Sequence, residues 1–153
     1  MNKRLINPII MWSIIVIGMM VINYILPANL YIFRINSLRY LLIPAVIYWM
    51  YFFFNAFIVH RQAIRSVNKI DKIVDKGVYG IVRHPIYSSD IVLGIGIFFF
   101  RPTIIMLVII VWMTAFLLFW MKKEETALIE KFGRDYEEYK KKVPMIIPIK
   151  KKS

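Results

Sequence analysis

Residues 103–121 read Thr-Ile-Ile-Met-Leu-Val-Ile-Ile-Val-Trp-Met-Thr-Ala-Phe-Leu-Leu-Phe-Trp-Met, nineteen residues without a charge. At 1.5 Å per residue such a helix covers about 28 Å, close to the roughly 30 Å of hydrocarbon in a bilayer, so the segment reads as a membrane span. Arg101-Pro102 stands before it as a tight turn. On the other side of that turn the apolar run Ile91 to Phe100 is short, and Pro85 is placed to start its helix earlier. A hairpin of two helices is therefore predicted, with Asp90 inside its first arm.

Further toward the N-terminus, Leu41 to Val59 again carries no charge over 19 residues. The stretch from Leu5 to Phe33 is also uncharged, longer than the roughly 7–15-residue core of a removable signal, and is expected to remain as a membrane helix. Asn7-Pro8 offers a cap and a first helical position, and Pro27 discourages continuation past Leu26. The prediction is an all-α polytopic membrane bundle of about four transmembrane helices with a helical C-terminal tail. No linker composition divides residues 1–153, so one domain is expected.

Composition agrees: 59% of the 153 residues are hydrophobic and 16% aromatic. Thiol chemistry is excluded because there is no cysteine, and with two histidines and no ligand motif no metal centre is expected. The net charge of +12 is concentrated beside the spans: six Lys/Arg in residues 61–84 and ten from Lys122 onward, against Arg101 at the hairpin turn. The positive-inside bias places both rich segments, and both termini, in the cytoplasm. Basic residues flanking spans suit anionic lipid headgroups as partners and argue against nucleic acid. Between His60 and Arg83, basic residues alternate with Ile64, Val67, Ile70, Ile73 and Val74, which predicts an interfacial amphipathic helix ended by Gly77. His60 is expected to cap the second span.

The densest polar signal is Gly77-Val-Tyr-Gly-Ile-Val-Arg-His-Pro-Ile-Tyr87, where the chain re-enters the membrane. Polar residues are costly at that depth unless used or paired. Arg83 can grip a carboxylate in a fork, His84 can hydrogen-bond or carry a proton, and Tyr79 and Tyr87 supply aromatic faces and hydroxyls. Glu124-Glu125 lies just beyond the last apolar residue of the 103–121 span. Each stretch alone has a plainer reading, a helix end anchored at the interface and a solvated, salt-paired helix face. The hairpin brings both to one end, where they can face one pocket. Downstream, Leu128, Ile129 and Phe132 form an apolar stripe, Gly133 ends or bends the helix, and Tyr136 and Tyr139 follow at helical spacing. Met145-Ile146-Ile147, between Pro144 and Pro148, can fold back as a lid. Gly94 and Gly96 suit close helix packing. Asn23, Asn55 and Asp90 can bond between helices, and Asp90 lies near enough to the motif to belong to its site.

Arg83-His-Pro-Ile-Tyr87, Glu124-Glu125-x-x-Leu128, Phe132-Gly133-x-x-Tyr136-x-x-Tyr139 and Val143-Pro144 together resemble the isoprenylcysteine carboxyl methyltransferase and phospholipid methyltransferase superfamily, over about Gly77 to Pro148. Val78 stands where that family commonly has proline. The resemblance implies S-adenosylmethionine as cofactor, bound by Tyr79, His84, Tyr87 and Glu125, with the amino group on Glu125. It places Arg83 and Glu124 beside them as catalytic candidates, and Tyr136 and Tyr139 as further candidates or packing residues. The implied activity is methyl transfer to a lipophilic substrate from the bilayer. The tail tips the choice toward carboxyl O-methylation of prenylcysteine, with phospholipid N-methylation as the alternative. A non-enzymatic lipid-binding adaptor is the rival class, and nicotinamide reduction is disfavoured by the lack of a dinucleotide motif. The oligomeric state is left open.

Overall fold

The computed structural model describes residues 7–27, 30–59 and 73–149. Among these described residues five α-helices follow one another: α1 (Pro8–Ile25), α2 (Leu42–Val59), α3 (Pro85–Phe100), α4 (Ile104–Phe132) and α5 (Arg134–Lys142). Two 3-10 turns, Asn36–Leu41 and Gly77–Gly80, precede α2 and α3. No strand occurs among the described residues, as a bilayer requires of a chain that satisfies its backbone within helices.

The helix starts are chemically specified. Asn7 caps α1 by accepting from the Ile9 N–H at 2.9 Å, with Pro8 at the first helical position. Pro85 occupies the same position in α3, lengthening that helix as expected, and Thr103 caps α4 through the Met106 N–H. α1, the continuous Asn36–Val59 segment and α4 are long and apolar enough to cross a membrane. α3 has 16 residues, about 24 Å of rise, and falls short of that length.

The helices pack in the order α1, α4, α3, α2. Met11 and Ile15 of α1 meet Ile91 of α3 and Leu117, Trp120 and Met121 of α4 in one buried cluster. α2 and α3 approach closely because Gly96 has no side chain: a β-carbon there would lie 2.5 Å from Ala45 Cβ. Gly94 faces Met113 of α4, so the two glycines serve close packing on the two sides of α3. Large apolar side chains such as Ile9, Ile17, Ile43, Ile47 and Val111 are exposed on the outer faces, the pattern of a bundle solvated by lipid.

The bundle has two distinct ends. At one, the α1–α2 connection pairs with the hairpin turn: Ile32 N–H donates to Pro102 O at 2.8 Å and Ile104 N–H to Leu30 O at 2.9 Å. The start of α1, the end of α2, the start of α3 and the end of α4's apolar run share the other. There α4 continues past Met121 to Phe132, as its composition predicts, and Gly133 (φ +56°) makes a left-handed break that a side chain would strain. α5 then packs back, burying Tyr136, Tyr139 and Val143 against Leu128, Ile129, Phe132 and Ile73. Tyr136 and Tyr139 are thus packing residues of the tail.

Gly77 opens a turn instead of ending a helix. Residues 73–76 are not helical, and Gly77 (φ +60°) begins the 3-10 turn that buries Val78 and Tyr79 against Phe52 and Ala56 of α2. A positive φ here redirects the chain toward α3, work that periodicity does not reveal. The rest of the expected amphipathic helix, and the His60 cap, lie outside the described residues.

Candidate functional site

The site is assembled where α3 begins and α4 leaves its apolar run. His84 is the last residue before α3, and Pro85 fixes the backbone that turns Arg83 and His84 toward α4. On α4 the adjacent Glu124 and Glu125 point about 100° apart, so each meets different neighbours. One turn before Glu124 stands Trp120, on the same face.

Glu125 is buried and compensated by two cations. Arg83 Nε donates to its Oε1 at 2.8 Å and Arg83 Nη2 approaches the same oxygen at 2.7 Å. Lys140 of α5 reaches Oε2 at 2.9 Å. Arg83 Nη1 meanwhile donates to the carbonyls of Lys140 and Val143. The guanidinium therefore fixes a carboxylate on α4 and the end of α5 at once, which its planar fork of five donors permits and a lysine does not.

Glu124 has a different environment. Tyr87 O–H donates to its Oε1 at 2.8 Å, and the Trp120 indole N–H donates to the same oxygen at 3.1 Å. Oε2 lies 3.7 Å from His84 Nδ1. No Lys or Arg pairs with Glu124 among the described residues. A partly buried carboxylate held by neutral donors is electrostatically undercompensated, and its field favours a positive group. His84 sits between the two glutamates, its Nε2 buried 3.4 Å from Glu125 Oε1 with no hydrogen bond made, and its ring stacks on Tyr87 with centroids 5.7 Å apart.

The C-terminal strap closes one side. Arg83 N–H donates to Pro144 O at 2.9 Å, His84 N–H to Met145 O at 3.2 Å, and Ser88 Oγ to Ile146 O at 2.9 Å. Met145 and Ile146 pack onto the cluster containing Trp120 and Met121. The apolar residues between Pro144 and Pro148 thus fold back as a cover. Tyr139 O–H donates to Tyr79 O at 2.6 Å, tying α5 to the turn before α3. Burial first, then the negative charge of Glu124, pushes the Tyr79 phenol above its ordinary range. Burial likewise raises Tyr136 and Tyr139, with added repulsion chiefly from Glu125 for the former and Tyr79 for the latter.

The six residues singled out in the sequence, Tyr79, Arg83, His84, Tyr87, Glu124 and Glu125, lie at this one end of the bundle and are joined by contacts or by charge. Sequence reasoning missed three participants. Trp120 was readable, since it stands four residues before Glu124 on a helix. Lys140 and the Lys140 and Val143 carbonyls left no local signal, because they arrive through the fold of α5. Asp90, singled out beside the motif, accepts from Trp49 Nε1 of α2 at 2.8 Å.

A family model described as phospholipid methyltransferase matches residues 47–135, from α2 through both motifs into α5. The protein-S-isoprenylcysteine O-methyltransferase B of Arabidopsis thaliana is 36% identical over 80 residues, which cover 50% of this chain and 40% of that protein. The match thus takes in less than half the length of that relative. No solved structure matches. With the family model covering more than half of the chain and the site motifs inside it, the resemblance read from those motifs holds: this membrane-helical chain belongs to the phospholipid methyltransferase family.

Proposed function

We propose that this chain is an integral membrane methyltransferase that uses S-adenosylmethionine to methylate a lipophilic acceptor entering from the bilayer. The observation that carries the reading is Glu124: a partly buried carboxylate, its side chain 12% exposed, held by Tyr87 and Trp120, flanked by His84, and lacking a Lys or Arg partner among the described residues. Negative charge beside aromatic faces suits a cationic, ring-bearing ligand. When bound, S-adenosylmethionine supplies a methyl group on a positively charged sulfonium.

In this proposal Glu124 provides the counter-charge. The stacked His84 and Tyr87 offer a face and polar edges, with the buried His84 Nε2 awaiting a partner. Tyr79 lines the site from the turn before α3. The resemblance puts the cofactor's amino group on Glu125; the Arg83 and Lys140 contacts favour Glu125 as a positioning residue that orders the turn, with Arg83 tying it to the tail. Met145 and Ile146 help keep water from the reacting centre. The basic residues after Met121 support a cytoplasmic site with both termini on that side, held near anionic headgroups. The family and the plant relative are named for two acceptor classes, a phospholipid and a protein S-isoprenylcysteine.

The test is methyl transfer from labelled S-adenosylmethionine into organic-extractable product, using protein reconstituted in lipid vesicles. Label enters the lipid phase with wild type and is lost in Glu124→Gln. A well-folded wild type that labels neither lipid nor added prenylcysteine would overturn the proposal.

A further inference from the structure

The end of the bundle opposite the site carries Arg34, Arg39 and Arg101, all of them exposed. No acidic residue occurs from Met1 to Ile70 or between Asp90 and Glu124, so the loops at this end supply no carboxylate. Asp90 is eleven residues before Arg101 on α3. That is about 16.5 Å of helix, beyond the roughly 8–10 Å over which charge acts in physiological salt. The fold gathers the three cations. Ile32 N–H donates to Pro102 O, which sets Arg34 two residues and Arg101 one residue from the same backbone pairing. Leu42 lies beside Gly96, and α2 runs antiparallel to α3, so Arg39, about one turn before Leu42, approaches the Arg101 end. Arg34 Cζ stands 5.0 Å over the Tyr31 ring and Arg39 Cζ 5.5 Å over the Tyr40 ring. Among the described residues none of the three side chains makes a hydrogen bond or an ion pair.

Around these guanidiniums Tyr31, Ile32, Ile35, Tyr40, Leu41 and Phe100 are exposed. Cations on the rim of an apolar, tyrosine-bearing collar sit where lipid phosphates lie. A ligand that satisfies both features is amphipathic, with an anion for the arginines and acyl chains for the collar. Guanidinium forks match pairs of phosphate oxygens. A zwitterionic headgroup brings its own ammonium, which three arginines without a nearby carboxylate repel, whereas a headgroup of net negative charge carries no such penalty. We infer that Arg34, Arg39 and Arg101 form a binding surface for the phosphodiester of an anionic phospholipid, bracing the α1–α2 connection against the hairpin turn. It is distinct from the basic residues from Lys122 onward, which lie at the site's end of the bundle. It is also separate from Glu124, and so stands independently of the methyltransferase reading.

The experiment is native mass spectrometry of the full chain in phosphatidylcholine-containing micelles titrated with phosphatidylglycerol, which has no amine to accept a methyl group. Wild type retains a first phosphatidylglycerol at least tenfold over phosphatidylcholine. Combining Arg34→Gln, Arg39→Gln and Arg101→Gln abolishes that preference, and combining Arg34→Lys, Arg39→Lys and Arg101→Lys keeps part of it. Lys122→Gln with Lys123→Gln leaves it unchanged. A second measurement needs no variant: a photoactivatable phosphatidylglycerol labels wild-type peptides within 30–41 and 98–104. Equal retention of the two lipids by wild type overturns the surface, as does a glutamine variant that binds like wild type. Loss of the preference in the Lys122 and Lys123 variant, or label confined to residues 122–142, also overturns it, because the lipid would then belong to the site's end.

Discussion

Replacing Arg83 by lysine keeps the charge and discards the fork, which isolates what the fork holds together. Arg83 supplies two contacts to Glu125 Oε1 and two to the Lys140 and Val143 carbonyls, from a side chain 5% exposed. An ammonium is a single point donor group and cannot span a carboxylate and both carbonyls. Each buried polar group left without its partner costs about 1–3 kcal/mol, and breaking a buried ion pair costs about 3–5 kcal/mol. Because the ammonium retains part of the attraction, we take about 3 kcal/mol as the loss, which at 1.4 kcal/mol per decade is roughly a hundredfold more opening of the tail. The assay is tryptic cleavage at Lys141 and Lys142 in detergent micelles, under conditions where local opening limits access. Lys140→Ala is the control: its side chain is 39% exposed, so solvent screening confines its worth to about 1 kcal/mol or less. Tryptic protection and thermal midpoint in Arg83→Lys equal to wild type would refute the claim that this guanidinium clamps the tail.

Tyr87→Phe and Trp120→Phe each remove one donor from Glu124 Oε1; each should weaken S-adenosylmethionine binding about tenfold, measured by calorimetry, through misplacement of the carboxylate. Gly96→Val should lower the thermal midpoint by overpacking the α2–α3 contact at Ala45, a cost of about 1–3 kcal/mol or more, and Gly133→Ala should lower it too, because φ +56° with ψ −128° lies outside the left-handed helical region and is adopted readily by glycine alone. The raised Tyr136 and Tyr139 phenols give a definite sign to alkaline behaviour: their contribution is intact below the unfolded value of 10.0 and fades as pH climbs above it, because the unfolded chain releases those protons first. Tyrosinate absorbance should therefore show a late-ionising class, and Tyr136→Phe plus Tyr139→Phe should shrink that class without abolishing it, because the Tyr79 phenol is raised as well; ionisation of every tyrosine together near pH 10 would contradict it.

Much of the bundle was legible because its determinants are local. The uncharged run from Thr103 to Met121, the Asn7-Pro8 start, Pro85 at the head of α3 and Gly133 at the end of α4 each act within a few residues. The convergence of Arg83-His84 with Glu124-Glu125 was legible for a second reason, since a hairpin turning at Arg101-Pro102 returns both to one end. What the sequence concealed is long-range. Arg83 choosing carbonyls of Lys140 and Val143, and Lys140 choosing Glu125, depend on how α5 packs after Gly133. Gly77 misled because a glycine after a periodic basic stretch resembles a helix stop, whereas its positive φ starts a turn. The unequal surroundings of the two adjacent glutamates follow from the 100° helical step, but which neighbour waits at each azimuth is settled only by the packed bundle.

The central claim is that the undercompensated carboxylate of Glu124 receives a cationic nucleoside, and calorimetric titration of the purified chain with S-adenosylmethionine tests it most directly. Saturable binding by wild type, at least tenfold weaker in Glu124→Gln with thermal stability retained, is the result expected. No binding by a well-folded wild type in lipid-supplemented micelles, or unchanged binding by Glu124→Gln, would contradict it.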